Sequence, residues 1–201
     1  MGFLSGAASF VRYTIEGDMA ENFWDFAATR IAAFSFRDID DSYDEKSIGW
    51  VSVASMFDSE FAYASYAVGD YVTLSLRIDE RKVSPAVLKK FSLKEEERIK
   101  KERQIPYISK GQRQSIKENI RLMLMKKAVP VASVYDLAWN LSSGTLYFFS
   151  TNPKAQEILE DVFKETFGLL LVRQIPYHTA SHLLTPGELE ALADISAEIL
   201  V

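Results

Sequence analysis

The stretch from Tyr71 to Asp79 alternates without a break, with Val72, Leu74, Leu76 and Ile78 on one side and Tyr71, Thr73, Ser75 and Arg77 on the other. A period of two sustained over that length is a β-strand with one face turned to a core, so the pattern predicts a half-buried strand. Shortly after it, Ser84 and Pro85 open a helix, Ser84 as cap and Pro85 in the first turn, where a missing N–H leaves no bond unmade. The helical pattern runs to about Arg103 and stops before Pro106. A second helix follows from Ser109 to Ala128, with Pro130 just beyond its end. A strand followed by two helices therefore forms the middle of the chain, and the flanks must supply strands to pair with it.

The flanks have that content. Ala8 to Glu16 alternates and ends at Gly17-Asp18, and Ser47 to Ala54 reads as a second strand. Asp18 with Glu21 reads as a capping box opening a helix whose Phe23, Ala27, Ile31 and Phe34 share one face. Phe61 to Val68 is aromatic and alternating, which predicts a strand paired with 71–79 across Gly69-Asp70. Val131 to Trp139 and Thr145 to Ser150 form a hairpin through Asn140 to Gly144. Asn152-Pro153 opens a helix to Phe167 closed by Gly168, and Leu169 to Arg173 is a short apolar strand. Thr185 and Glu188 form a capping box for a helix to about Leu200. Helices and strands are mixed without regular alternation, so the expected fold class is α+β, with mainly antiparallel sheets packed against helices. The expected organisation is two sheet-containing stretches, 1–84 and 131–177, a basic helical segment over 85–130, and a C-terminal linker and helix over 178–201.

Net charge is −5, yet the charges are not spread evenly. Between Arg77 and Lys127 stand 16 basic and 7 acidic residues, a local charge of +9, while the rest of the chain, with 7 basic and 21 acidic, carries −14. A basic region on an acidic body binds phosphate while its remainder limits non-specific adhesion. On the second helix Lys110, Arg113, Lys117 and Arg121 fall within an arc of about 80°, a single basic stripe with Ile116, Ile120 and Met123 on its buried side. Lys89, Lys90, Lys94, Arg98 and Lys101 add cations along the first helix, interleaved with Glu95, Glu96, Glu97 and Glu102. Within that run Glu97–Lys101 and Glu96–Lys100 are favourable i,i+4 pairs. Lys126 and Lys127 close the second helix, where the dipole also favours cations. These eleven residues are the candidate nucleic-acid contacts. No recognition motif that aims Arg, Asn or Gln into a groove is visible, so backbone contact without strong sequence preference is the expected mode.

Other chemistry has weaker support. The chain has no cysteine, which removes disulfides, thiolate metal sites and a cysteine nucleophile. Gly-rich phosphate loops and a Ser-His-Asp set are missing, and no cofactor is expected. His178 and His182 have helical metal-ligand spacing but no evident third ligand. The acidic run at 38–45 lacks the glycine and spacing of a calcium loop. A two-metal nuclease would have only Asp79, Glu80 and Asp136 to draw on. The rival to DNA is an interaction module whose basic helices meet an acidic protein partner. The Phe10, Trp24, Trp50, Trp139 and Tyr147-Phe148-Phe149 aromatics read as core. Arg103-Gln104-Ile105-Pro106-Tyr107 recurs at 173–177, with flanks that do not match. No apolar run approaches the length needed to cross a bilayer, and the N-terminus lacks a signal-peptide or myristoylation pattern, so a soluble cytoplasmic protein is expected.

The order of these elements resembles the recombination-associated RdgC family. Leu76-Arg77-Ile78-Asp79-Glu80-Arg81-Lys82-Val83-Ser84-Pro85 followed by Ala86-Val87-Leu88-Lys89-Lys90 is similar to the family's strand, Pro-containing turn and helix. Arg113-Gln114-Ser115-Ile116-Lys117-Glu118-Asn119-Ile120 is similar to the helix before its hairpin. The hairpin at Gly144, the helix at Asn152-Pro153-Lys154-Ala155-Gln156-Glu157-Ile158-Leu159 and Gly49-Trp50-Val51 follow in the family's order. The likeness spans about residues 8 to 177 and rests on order and spacing more than on identities. It implies a nucleoid-associated, DNA-binding homodimer that surrounds duplex DNA with a basic inner surface, acting in recombination or replication. The family also carries an exonuclease label, for which no catalytic residues are visible, so an enzyme is not expected. Two departures are that the family's C-terminal third has no counterpart here and that Val129 stands where the family places an aromatic residue.

Overall fold

The computed structural model of the chain describes residues 8–181 and 183–194. Among the described residues there are seven strands: β1 (Val11–Glu16), β2 (Lys46–Val51), β3 (Ala67–Val68), β4 (Tyr71–Arg81), β5 (Pro130–Asn140), β6 (Thr145–Phe148) and β7 (Leu170–Arg173). The helices are α1 (Phe23–Ala33), α2 (Pro85–Arg103), α3 (Lys110–Lys127), α4 (Pro153–Phe167), α5 (Pro176–Ser181) and α6 (Pro186–Ala193). Hydrogen bonding links the strands in the order β2-β4-β5-β6-β1-β7, with β3 also on β4. The α+β class expected from the element order is the class observed. The chain forms two compact units: Met1–Ala33, Ala62–Leu74 and Tyr135–Val201 make the first, and Phe34–Phe61 and Ser75–Val134 the second.

The first unit is built on an aromatic core. β1 pairs antiparallel with β6, Tyr13 opposite Leu146, and with β7, Tyr13 opposite Arg173. The β5–β6 hairpin sets Trp139 opposite Leu146. Trp139 is fully buried and meets Phe23 of α1 and Phe163 and Phe167 of α4 edge-on, at ring-centroid separations of 5.1, 5.3 and 5.3 Å. Helix α4 presents these rings because Ala155, Leu159 and Phe163 recur every four residues on its buried face. The Asn152 side chain accepts the Lys154 N–H at the helix start, and Gly168, at φ 72°, closes the end. Arg30 of α1 donates to the terminal carbonyls of Thr166, at 2.7 Å, and Glu165, placing a cation where the dipole of α4 is negative.

In the second unit β2 pairs antiparallel with β4, Ile48 opposite Ile78 and Trp50 opposite Leu76. The segment before the acidic loop runs beside β2, Ser35 forming a parallel bridge with Trp50, the Phe36 N–H donating to Trp50 O at 2.9 Å and the Trp50 N–H to Phe34 O at 3.0 Å. That approach needs Gly49, because a Cβ there would stand 2.5 Å from the backbone N and Cα of Phe36. The role of the glycine in the Gly-Trp-Val run is therefore to admit a second backbone.

Several expectations change. The strand at 71–79 extends to Arg81 and is buried on both faces, because its second face carries small Thr73 and Ser75 followed by a self-satisfied Arg77–Asp79 pair. Asp18 and Glu21 do not cap a helix; α1 begins at Phe23. Of the run 61–68 only Ala67–Val68 is strand, since Phe61, Tyr63 and Ala64 adopt φ of 53°, 58° and 52°, which no extended chain can use. The Thr185–Glu188 capping box forms as expected, and α6 is described to Ala193. The two copies of Arg-Gln-Ile-Pro-Tyr occupy different structure, the first leaving α2 through a left-handed Gln104 and the second leaving β7 into α5, which argues against duplication. Substituting Gly49→Ala is expected to cost about 1–3 kcal/mol in urea denaturation, from forced backbone displacement at Phe36; an unchanged midpoint contradicts this account of the glycine.

Candidate nucleic-acid interface

Helices α2 and α3 form an antiparallel hairpin within the second unit. Leu88 borders the same depression as Arg121 and Met125, whereas Arg103 borders one with Gly111 and Gln112. The turn is built locally. Gln104 takes the left-handed conformation at φ 50° and its N–H donates to Lys100 O. Ser109 then starts α3 with a full capping box, its hydroxyl accepting the Gln112 N–H and the Gln112 side chain accepting the Ser109 N–H. Ser84 stands at the cap of α2 as expected, but its side chain makes no capping bond and Pro85 alone presets the first turn.

The hairpin is lightly covered. No described residue of α2 is buried, and Ile116 is the buried residue of α3. The expected apolar side of α3 is realised only in part: Ile120 is half-buried and Met123 is exposed. A chain that spends 37 helical residues on two helices with so little core is offering them as surface.

All eleven candidate cations are exposed. Lys110, Arg113 and Lys117 face Lys89 across a groove of about 450 Å³ floored by Pro85, Leu88 and Leu93. Arg121 continues the same side, beside Pro85 and Leu88. The stripe expected on α3 is therefore one row, spanning about 16 Å at 1.5 Å per residue. It carries two ion pairs, Arg113 with Glu96 at 3.5 Å and Arg121 with Glu118 at 3.6 Å. Lys94, Arg98 and Lys101 lie apart from it, around a depression with Phe91, Glu95 and Glu97. Arg98 is the least available, since it bonds Glu95 at 2.5 and 2.9 Å and Glu102 at 2.9 Å, and this bonding holds the Glu95 carboxyl below its usual range. Lys126 sits over the Tyr43 ring at 5.4 Å. Lys90 and Lys127 are exposed without an ion pair among the described residues. The expected Glu97–Lys101 and Glu96–Lys100 pairs are replaced by Glu97–Lys100 at 3.0 Å and Glu96–Arg113, because Glu96 faces α3.

Two cations of the basic region are structural. Arg77 forms a bidentate pair with Asp79, at 2.9 and 2.7 Å, donates to Met56 O, and lies 4.1 Å over the Phe36 ring. Arg81 donates to the carbonyls of Asp44 at 3.0 Å, Ile39 at 2.7 Å, Ser42 at 2.9 Å and Asp40 at 3.3 Å, and to Ala128. The acidic loop is thus held through its backbone. Of the nuclease candidates in this unit, Asp79 has both oxygens committed to Arg77, and Glu80 pairs with Lys82 at 2.9 Å. Asp136 lies in the other unit. Among the described residues no group of three His, Cys, Asp or Glu is placed to hold a metal. His182 and the His178 side chain lie outside the described residues. The sequence reading missed the groove floor and the buried Ser92 hydroxyl beside it, which has no partner. The signal was Leu88, Ser92 and Glu96 recurring every four residues opposite the basic stripe.

The family model described as "RdgC: Putative exonuclease, RdgC" matches residues 11–185. No curated protein matches the chain significantly. No helix among the described residues is long and apolar enough to cross a membrane. Arg77→Ala should cost about 3–5 kcal/mol in chemical denaturation, because it strands a buried Asp79 carboxylate; a loss below about 1 kcal/mol contradicts the structural role of the pair.

Proposed function

The chain belongs to the RdgC family, and from that premise we propose that it binds duplex DNA without strong sequence preference through α2 and α3, in recombination or replication. Membership carries a recombination-associated DNA-binding role in general. The finer reading has one principal support: Lys110, Arg113, Lys117 and Arg121 form an unbroken exposed row on a hairpin that buries almost nothing. A row of about 16 Å spans the axial rise of roughly five base-pair steps of a duplex, and each neutralised phosphate releases counterions. Lys89 across the groove and Lys126 and Lys127 at the helix end extend the field, while Lys90, Lys94 and Lys101 serve as outlying contacts. Arg98 contributes little, its charge being balanced by two glutamates. The basic segment 85–130 acts as the binding element between the sheet-containing stretches 1–84 and 131–177. The protein works as a cytoplasmic, nucleoid-associated homodimer, binding rather than cleaving DNA.

The test is binding of a fluorescent duplex of about 30 base pairs at low salt. Joint Lys110→Glu, Lys117→Glu, Arg113→Glu and Arg121→Glu substitution is expected to weaken binding at least about 100-fold, whereas Arg98→Ala changes it less than about two-fold. Two duplexes of unrelated sequence should bind within a few-fold of each other. Absence of wild-type binding at low salt contradicts the proposal. Degradation of linear DNA on adding Mg²⁺ would replace it with the exonuclease reading.

A further inference from the structure

The groove between α2 and α3 is more than a row of phosphate contacts. Its floor is aliphatic, Pro85, Leu88 and Leu93, with Leu93 52% exposed. No aromatic ring lines it, so an unstacked base would find no stacking surface there. Duplex DNA touching the rim leaves this floor uncovered. The chemistry that satisfies both parts is a helix with leucine anchors and carboxylates beside them, laid between the two helices.

This chain carries such a segment. Beyond Arg173 the remaining 28 residues contain no Lys or Arg, and they hold Glu188, Glu190, Asp194 and Glu198. Helix α6 and the residues before it present Leu183, 80% exposed, and Leu184, with Leu189 and Leu192 half-buried on the helix. The Thr185–Glu188 capping box, with Glu188 accepting from the Thr185 N–H at 2.9 Å and its hydroxyl at 2.7 Å, fixes the helix start. It leaves Glu190 and Asp194 as the carboxylates along the rest of the helix. An acidic, leucine-bearing helix and a basic groove with an aliphatic floor are complementary in charge and in apolar content.

We propose that the acidic helix α6 of one copy docks into the α2–α3 groove of a second copy and competes there with DNA. A single helix in a groove buries less than the roughly 1,000 Å² of a stable interface, so the association is transient and concentration-dependent. DNA binding is then opposed at high protein density by the protein's own acidic segment. The docking stands without the DNA reading; only the competition rests on it.

The absence of cysteine makes the test direct. Full chain carrying Leu93→Cys is mixed with full chain carrying Leu192→Cys under mild oxidation, and disulfide-linked species are resolved by mass. Circular dichroism and thermal melting establish that each variant is folded. The mixed dimer is expected to exceed, several-fold, the mixed product of Leu192→Cys with Lys154→Cys, a cysteine at an exposed position of α4. It should fall when Lys110→Glu and Lys117→Glu are added to the Leu93→Cys chain. A mixed dimer no more abundant than the Lys154→Cys control overturns the proposal. So does a monomeric disulfide as the dominant product of one chain carrying both cysteines, which would assign the helix to its own groove. Adding duplex DNA should reduce the mixed dimer. Where the proteins cross-link as expected without DNA and DNA changes nothing, the competition fails while the docking stands.

Discussion

Arg81 is the residue on which the second unit's periphery depends. Its guanidinium, at the buried end of β4, gathers carbonyls from Ile39, Asp40, Ser42 and Asp44 and from Ala128 at the end of α3. A planar, permanently charged group with five donors suits that task, and lysine would lack both the geometry and the number of bonds. One side chain thereby fixes a loop with no regular structure and the exit of a helix with almost no core. Four residues earlier on the same face, Arg77 does similar work, satisfied by Asp79 and Met56 O and covered by Phe36. Buried charge on a strand is tolerated because each guanidinium nitrogen of Arg77 and Arg81 finds an acceptor.

This division of labour recasts the charge asymmetry. The +9 of residues 77–127 includes Arg77 and Arg81, whose charges are turned inward, and Arg98, balanced by two glutamates. The surface field is therefore carried mainly by lysines and by the α3 stripe. Lysines are strongly hydrated point charges on flexible stems, suited to phosphates met in any register. The proposed lack of sequence preference rests on that chemistry.

Much of this architecture was legible in the residues. The bounds of α2 and α4, the β5–β6 hairpin, the Gly168 closure and the Thr185 capping box follow from local rules that tertiary packing did not override. The failures have physical causes. Alternation in β4 predicts one buried face, and only an ion pair satisfied within the strand permits two. The aromatic run 61–68 looks extended, and three left-handed residues show that its side chains are arranged by a turn. Individual cations were legible as a stripe on α3, but not their partners, because Glu96 pairs across to Arg113 where sequence spacing suggests Lys100. The aliphatic floor of the groove was hidden for the same reason, since it belongs to both helices.

Whether the α3 row meets phosphates is tested most directly by the salt dependence of duplex binding. The slope of log K against log salt reports how many phosphates are neutralised, at about −0.9 for each. Removing a single cation of the row, Lys117→Ala, is predicted to make that slope shallower by about one while leaving the ranking of different duplexes unchanged. A slope identical to wild type, with affinity also unchanged, would place the DNA elsewhere on the protein.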